Sequence, residues 1–187
     1  LMRFQEVQAD ASFRNGKTVV TMVAGFRYQK DQDTLIKAFQ YLPTEQYELW
    51  LVGDGERRST LEDLVSRLGI LENVRFWGIR SDIPVLLKSS DIIVMSSHFE
   101  GLSLSSIEGM AVDRPFIASD VDGLHEITKN AGILFPHGDA KALANIILRL
   151  KEEPYYRQIA DRCQQRASKY DIRKTVTAYL EIYKQLV

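Results

Sequence analysis

Six short runs rich in β-branched, aliphatic and aromatic residues, at 18–24, 47–52, 73–77, 91–95, 115–118 and 132–135, alternate with stretches whose apolar residues recur at helical spacing. Leu35, Ala38, Phe39 and Leu42 occupy positions i, i+3, i+4 and i+7, as do Leu61, Leu64, Val65 and Leu68, and again Leu143, Ile146, Ile147 and Leu150. Each set marks the buried stripe of an amphipathic helix. Strands that are apolar almost throughout need cover on both faces, and right-handed crossover helices supply it. The expected fold class is therefore α/β: a doubly wound, Rossmann-like parallel sheet of six strands with helices on both faces. Asp139 stands ready to cap the helix that begins KALANII, and Pro154 marks a break before the next one. Residues 155–187 read as two helices without a strand, the second carrying Val176, Tyr179, Leu180 and Tyr183 in one stripe. Residues 1–17 follow neither structural period and read as a linker or lead-in segment. The expected organisation is one domain over 18–187, of which 154–187 is a terminal helical extension.

Composition narrows the partners. With 24 Lys and Arg against 25 Asp and Glu, the formal net charge is −1, so there is no surplus of positive charge for a nucleic acid or an anionic lipid surface. The lone Cys163 can form no internal disulfide, which points to the cytoplasm or a cytoplasmic face. No apolar stretch approaches the roughly 20 residues of a membrane helix, and the N-terminus lacks a signal-peptide core.

In a sheet of this kind ligands gather beyond the carboxyl ends of the strands, where loops lead into helix N-termini. Gly53-Asp54-Gly55 opens like a dinucleotide fingerprint, but Arg58 stands where the third glycine belongs, which argues against a nicotinamide or flavin enzyme. A tight turn explains those glycines equally well. The segment SSHFEGLSLSSIEGMA is more informative, because Glu100 and Glu108 flank a small, polar helix start. Gly101 lets a ligand approach the backbone, and the amides of Leu102, Ser103 and Leu104 offer an anion site backed by the helix dipole. A carboxylate on that helix can accept hydrogen bonds from sugar hydroxyls. In AGFRYQKDQ, Arg27 and Lys30 share the same rim of the sheet and can clamp a diphosphate, although such a pair is also common on solvated surfaces. His98, His125 and His137 fall on separate loops without metal-type spacing, and the pairs Asp31 with Asp33 and Asp120 with Asp122 suit helix capping better than metal binding. No metal is expected. Ser103, Ser105 and Ser106 lack the G-x-S-x-G elbow of a serine hydrolase.

Several spaced motifs together resemble the C-terminal, nucleotide-sugar-binding half of a GT-B glycosyltransferase of the large family 4, or group 1, of retaining enzymes. They are VAGFRYQKDQDTLIKAF, LWLVGDGERRSTLEDLV, VRFWGIRSDIPVLLKSSDIIVMSS, EGLSLSSIEGMA, PFIASDVDGLHEI, AGILFPHGDAKALANIILRL and YDIRKTVTAYLEIYKQL. The Glu-x7-Glu element from Glu100 to Glu108 is the most specific of them. The resemblance implies that Lys30 meets the donor diphosphate, Glu100 lies near the donor sugar, and Glu108 holds the ribose hydroxyls. By the same resemblance the amides after Gly101 bind phosphate and sugar, Ile79 and Arg80 lie where the backbone meets the nucleobase, and Gly53 belongs to the glycine loop near the donor. It further implies metal-free retaining transfer from a nucleoside-diphosphate sugar to a saccharide or lipid-linked acceptor. Its partners are then the nucleotide sugar and an N-terminal acceptor domain, which no sequence before Leu1 provides; peripheral membrane contact would run through that half. Two positions depart from the pattern. Gly25 replaces an arginine, for which Arg27 is the substitute at hand, and Asp113 replaces a glycine, tolerable if that residue is left-handed. A nucleotide-sugar epimerase of the same architecture and a non-catalytic nucleotide-binding or scaffold domain are the alternatives. The resemblance also implies that the last helix, 171–186, does not pack wholly on this sheet, leaving Tyr170, Tyr179 and Tyr183 exposed.

Overall fold

A computed structural model describes residues 1–185; the expected helix end at Leu186 and the final Val187 lie outside the described residues. The strands are β1 (Thr18–Val23), β2 (Tyr47–Val52), β3 (Val74–Gly78), β4 (Ile92–Met95), β5 (Phe116–Ser119) and β6 (Ile133–Phe135). The helices are α1 (Met2–Gln5), α2 (Gln32–Ala38), α3 (Arg58–Arg67), α4 (Ile83–Ser89), α5 (Leu104–Met110), α6 (Leu124–Thr128), α7 (Ala140–Arg149), α8 (Glu153–Ala167) and α9 (Ile172–Gln185). The strands form one sheet in the order β3-β2-β1-β4-β5-β6, and every named pair is parallel. All six expected strands are present, with bounds close to those of the apolar runs. The chain winds outward from β1 through β2 to β3, then crosses back to lay β4 on the other side of β1. That reversal opens a crevice between the loops after β1 and β4, the place where a doubly wound sheet holds ligands.

Alternation along β2 divides the interior between two faces. Tyr47, Leu49 and Leu51 join the main core with Leu35, Phe39 and Leu61, whereas Trp50 and Val52 join a smaller cluster with Val19 and Leu86. Both faces of this strand are buried, as its almost wholly apolar sequence requires, and the one charged residue, Glu48, is buried in an ion pair with Arg75 at 3.0 Å. Asp139 caps α7 by accepting the Ala142 amide, and Asp113 adopts φ 60, the left-handed conformation that Asp tolerates.

Two terminal features differ from the pattern reading. Residues 1–17 are docked on the domain: Phe4 is buried in the main core, and Phe13 sets its ring edge-on to Trp50 and Trp77. Arg14 pairs with Asp91 at 2.7 Å. Pro154 lies within the first turn of α8, where its missing N–H leaves no hydrogen bond unmade. The aromatic stripe of α9 is outward-facing, with Tyr179 59% and Tyr183 63% exposed, while Tyr170 is half-buried against the core. Burial pushes the Cys163 thiol up to about 12, which keeps it an unreactive core residue. Among the described residues no helix is long and apolar enough to cross a membrane.

Candidate functional site

Short bonds between loops assemble the crevice. Ser96 Oγ donates to the Asp31 carbonyl at 2.8 Å, the His98 amide donates to Gln29 O at 2.8 Å, and Gln29 Nε2 donates to Phe99 O at 3.0 Å. These bonds join the loop after β1 to the loop after β4 and bring Lys30 beside Glu100. Lys30 Nζ donates to Glu100 Oε1 at 2.5 Å, and Ser97 Oγ donates to the same oxygen at 2.7 Å. The ion pair is mostly buried, with side-chain exposures of 20% and 6%. It spans the point at which the strand order reverses, so a cation and a carboxylate face one another where a ligand's charged end would sit.

The glycine turn after β2 is built into the adjoining wall. A Cβ on Gly53, at φ 136, would lie 2.1 Å from the Ala24 carbonyl oxygen, so only glycine permits the loops after β1 and β2 to approach this closely. The Gly53 amide donates to Gly78 O, and the Phe26 amide donates to Asp54 O, both at 2.9 Å. A cavity of about 410 Å³ opens here between Gly25, Arg27, Lys30, Asp54 and Glu56. Beside it lies a second of about 280 Å³, which shares Gly25 and Asp54 and is lined by Gly53, Ile79, Arg80 and Ser105. Ile79 is 85% exposed at this rim, and Arg80 is held by Asp82 at 2.6 Å with its guanidinium over Trp77. Arg27 Nε lies 4.0 Å from where a Cβ at Gly25 would stand, so the Arg27 side chain reaches back toward the space that a residue at position 25 would use.

The start of α5 completes the rim. Ser103 is its N-cap and accepts the Ser106 amide, and the amides of Leu104 and Ser105, in the first turn, have no intrahelical acceptor. Gly101, Leu102 and Leu104 are exposed, which leaves that backbone open to a ligand. Glu108, one turn further on, departs from this grouping. It pairs with Arg3 of the docked N-terminal segment at 3.4 Å and lines a separate cavity of about 220 Å³ with Phe4, Leu104 and Tyr170. The structure thus joins Lys30, Arg27, Gly53, Ile79 and Arg80 along one trough, ties Glu100 to it through Lys30, and sets Glu108 in a separate cavity.

Sequence reasoning missed Gly123 and the meeting of His98 with His137. Gly123 sits at φ 79 beneath the Glu100 turn, where a Cβ would lie 2.2 Å from Glu100 O and 2.6 Å from Gly101 O. The two histidines, read as unrelated because they lie on separate loops, place ring nitrogens 2.6 Å apart. A larger cavity of about 510 Å³ opens at the opposite, amino ends of the strands and includes Arg14, Arg114 and Arg157. Those arginines are held by Asp91, by the backbone carbonyls of Ser90 and Lys88, and by Asp113, so the cavity's arginines are occupied within the fold.

Comparison with known proteins bears on this geometry. The family described as "Glycosyl transferases group 1" matches residues 4–170. The lipopolysaccharide core biosynthesis glycosyltransferase LpsE of Rhizobium meliloti is 32% identical over 168 residues, which is 88% of this chain and 49% of that protein. The crystal structure of HepE from Anabaena in complex with UDP-glucose is 30% identical with a TM-score of 0.81, over 91% of this chain and 48% of HepE. The C-terminal domain of the group 1 protein LpcC from Francisella tularensis shares the fold at 20% identity and a TM-score of 0.76, over 85% of this chain and 88% of that domain. The chain spans about half the length of the curated relatives it matches.

Proposed function

Because this chain belongs to the group 1 glycosyl transferases and is the C-terminal half of a GT-B fold, we propose that its crevice binds the nucleoside-diphosphate sugar from which a retaining transferase moves a sugar to a saccharide or lipid-linked acceptor. The observation that carries this reading is the Lys30–Glu100 pair at the strand-order reversal, flanked by the trough of Gly25, Arg27, Gly53 and Asp54. HepE complexes with UDP and with UDP-glucose support a uridine donor, and the name of LpsE supports an acceptor in polysaccharide or lipopolysaccharide synthesis.

In this reading Lys30 leaves Glu100 to meet the diphosphate, and Arg27 adds a second positive charge from the space beside Gly25. The amides from Leu102 to Leu104 complete the anion site. Leaving-group charge is then stabilised by fixed cations and dipoles, and transfer itself uses neither a protein general acid nor a metal ion. Glu100, freed from Lys30 and held by Ser97, faces the donor sugar. Glu108 exchanges Arg3 for the ribose hydroxyls, and the backbone of Ile79 and Arg80 meets the base. The buried, unpaired Cys163 suits a reducing compartment and supports the reading that the reaction runs in the cytoplasm or on a cytoplasmic membrane face.

Calorimetry tests the phosphate half of this reading. UDP binds more tightly than uridine, and Lys30→Ala lowers UDP affinity by about 1.5–3 kcal/mol, roughly 10- to 150-fold, as expected for loss of a charged hydrogen bond. Equal affinities for mutant and parent remove Lys30 from the site. The ribose half has its own measurement. Glu108→Gln keeps the shape but loses charge and one acceptor, so it weakens UDP binding, and 2′,3′-dideoxy-UDP shows little further loss in that variant. If the dideoxy analogue binds the parent as well as UDP does, Glu108 does not hold the ribose. Product analysis with UDP-glucose and the full-length protein separates transfer from epimerisation, and a nucleotide-binding scaffold would give neither product.

A further inference from the structure

Beside the Lys30–Glu100 pair the fold gathers three side chains from three loops. His98 Nδ1, after β4, stands 2.6 Å from Nε2 of His137, after β6, and Asp31 Oδ2, after β1, lies 3.8 Å from the first nitrogen and 4.0 Å from the second. All three ligand-type atoms fall within 4.8 Å of one another. The carboxylate is fixed before any ligand arrives. Asp31 is only 3% exposed and caps α2, accepting from the Thr34 amide at 3.3 Å and from Thr34 Oγ1 at 2.6 Å. The His98 ring is steadied by Tyr28, whose ring centroid is 4.5 Å away.

Two imidazole nitrogens at this separation share at most one proton, one ring donating and the other accepting. The anionic oxygen beside them is too far from either to take a hydrogen bond. A divalent cation in place of the shared proton bonds both nitrogens and the free lone pair of Asp31 Oδ2, whose other lone pair accepts from Thr34 Oγ1. Imidazole nitrogen binds Zn²⁺ at about 2.0–2.1 Å and carboxylate oxygen at about 2.0–2.2 Å. Around a tetrahedral ion of that size the two nitrogens would stand about 3.3 Å apart, a separation that small ring rotations supply. We propose that Asp31, His98 and His137 form a three-ligand site for a divalent transition-metal cation, with Zn²⁺ the best match to two imidazoles and one carboxylate. The fourth position faces solvent past His137, whose side chain is 41% exposed. Asp31 follows Lys30 directly and His98 precedes Glu100 by two residues. The ion therefore clamps the backbone that presents both residues, a structural role apart from the diphosphate, and it stands or falls without reference to the donor.

The test uses the tag-free 187-residue chain, cleared of metal with a chelator and titrated calorimetrically with Zn²⁺ in the absence of any nucleotide. One ion binds per chain, and saturating Zn²⁺ raises Tm by several degrees. His98→Ala and His137→Ala each weaken binding by more than the roughly 10- to 100-fold that loss of an outer-shell partner costs. Asp31→Asn keeps the cap and tolerates the left-handed φ of 46, so it folds but binds Zn²⁺ less tightly. His125→Ala, whose ring bonds Asp120 elsewhere, binds as the parent does. Mg²⁺, which prefers oxygen ligands, gives no comparable signal. The proposal fails if the parent takes up no stoichiometric Zn²⁺, if His98→Ala binds like the parent, or if His125→Ala is the variant that loses the ion. Each of those results leaves the histidine contact as a plain N–H···N hydrogen bond.

Discussion

Incubated with UDP-glucose and a saccharide or lipid-linked acceptor, residues 1–187 alone transfer no sugar and at most hydrolyse the donor slowly. In the function proposed above, the trough, Lys30, Arg27 and the α5 amides address the donor's diphosphate, and they form a single wall. Transfer needs the acceptor oxygen held against the anomeric carbon in a closed cleft from which water is excluded, and positioning of this kind is worth roughly 7–11 kcal/mol of barrier. The chain spans 48–49% of relatives such as EpsD and LpsE, and the proposed function assigns the opposing wall to sequence outside these residues. Leaving-group stabilisation survives in part, which is why slow hydrolysis by water is the ceiling. Mass spectrometry of the products decides the matter: transfer at about 1 per second or faster, typical of whole enzymes, would place an acceptor site within this chain.

Gly123→Ala produces the largest loss of stability expected from a single methyl group at the site. The new Cβ would meet the Glu100 carbonyl oxygen at 2.2 Å and that of Gly101 at 2.6 Å, both of them backbone atoms that cannot rotate aside. The residue also holds φ 79 and ψ −50, which is strained for any residue with a side chain. Together these cost about 3 kcal/mol or more, in the range of the severe single substitutions. Because the displaced backbone is the turn that carries Glu100, UDP-glucose affinity falls with stability. Gly101→Ala is the informative contrast. Nothing lies within 4 Å of the position its Cβ would take, so stability should stay within about 0.5 kcal/mol while donor affinity drops, because the methyl group enters the space left for ligand. Urea denaturation and calorimetry on both variants provide the check. A stable Gly123→Ala, or a Gly101→Ala that unfolds readily, contradicts this account of the turn.

What could be read from the chain directly was whatever depends on near neighbours. The stripes at Leu61, Leu64 and Val65 and at Leu143 and Ile147 are buried, and the six strands stand where their apolar runs predicted. Asp139 caps its helix and Asp113 is left-handed. Periodicity and capping are properties of a few consecutive residues, so α/β class, strand count and helix faces follow from them. The group 1 motifs, in their order, likewise pointed to the family that matches residues 4–170.

Other features waited on the path of the chain through space. The N-terminal residues have no period of their own, yet Phe4 and Phe13 find apolar surface on distant elements, and Arg3 reaches Glu108 across 105 positions. Lys30 and Glu100 are 70 residues apart and touch only because the crossover lays β4 beside β1. His98 and His137, 39 apart, meet only because β5 and β6 extend the sheet beyond β4 and carry the last loop to the same rim. Local spacing determined that there would be a sheet with ligand-facing loops. Strand order decided which loops share a crevice, because side chains from distant segments become neighbours only when the backbones that carry them are hydrogen-bonded into one sheet.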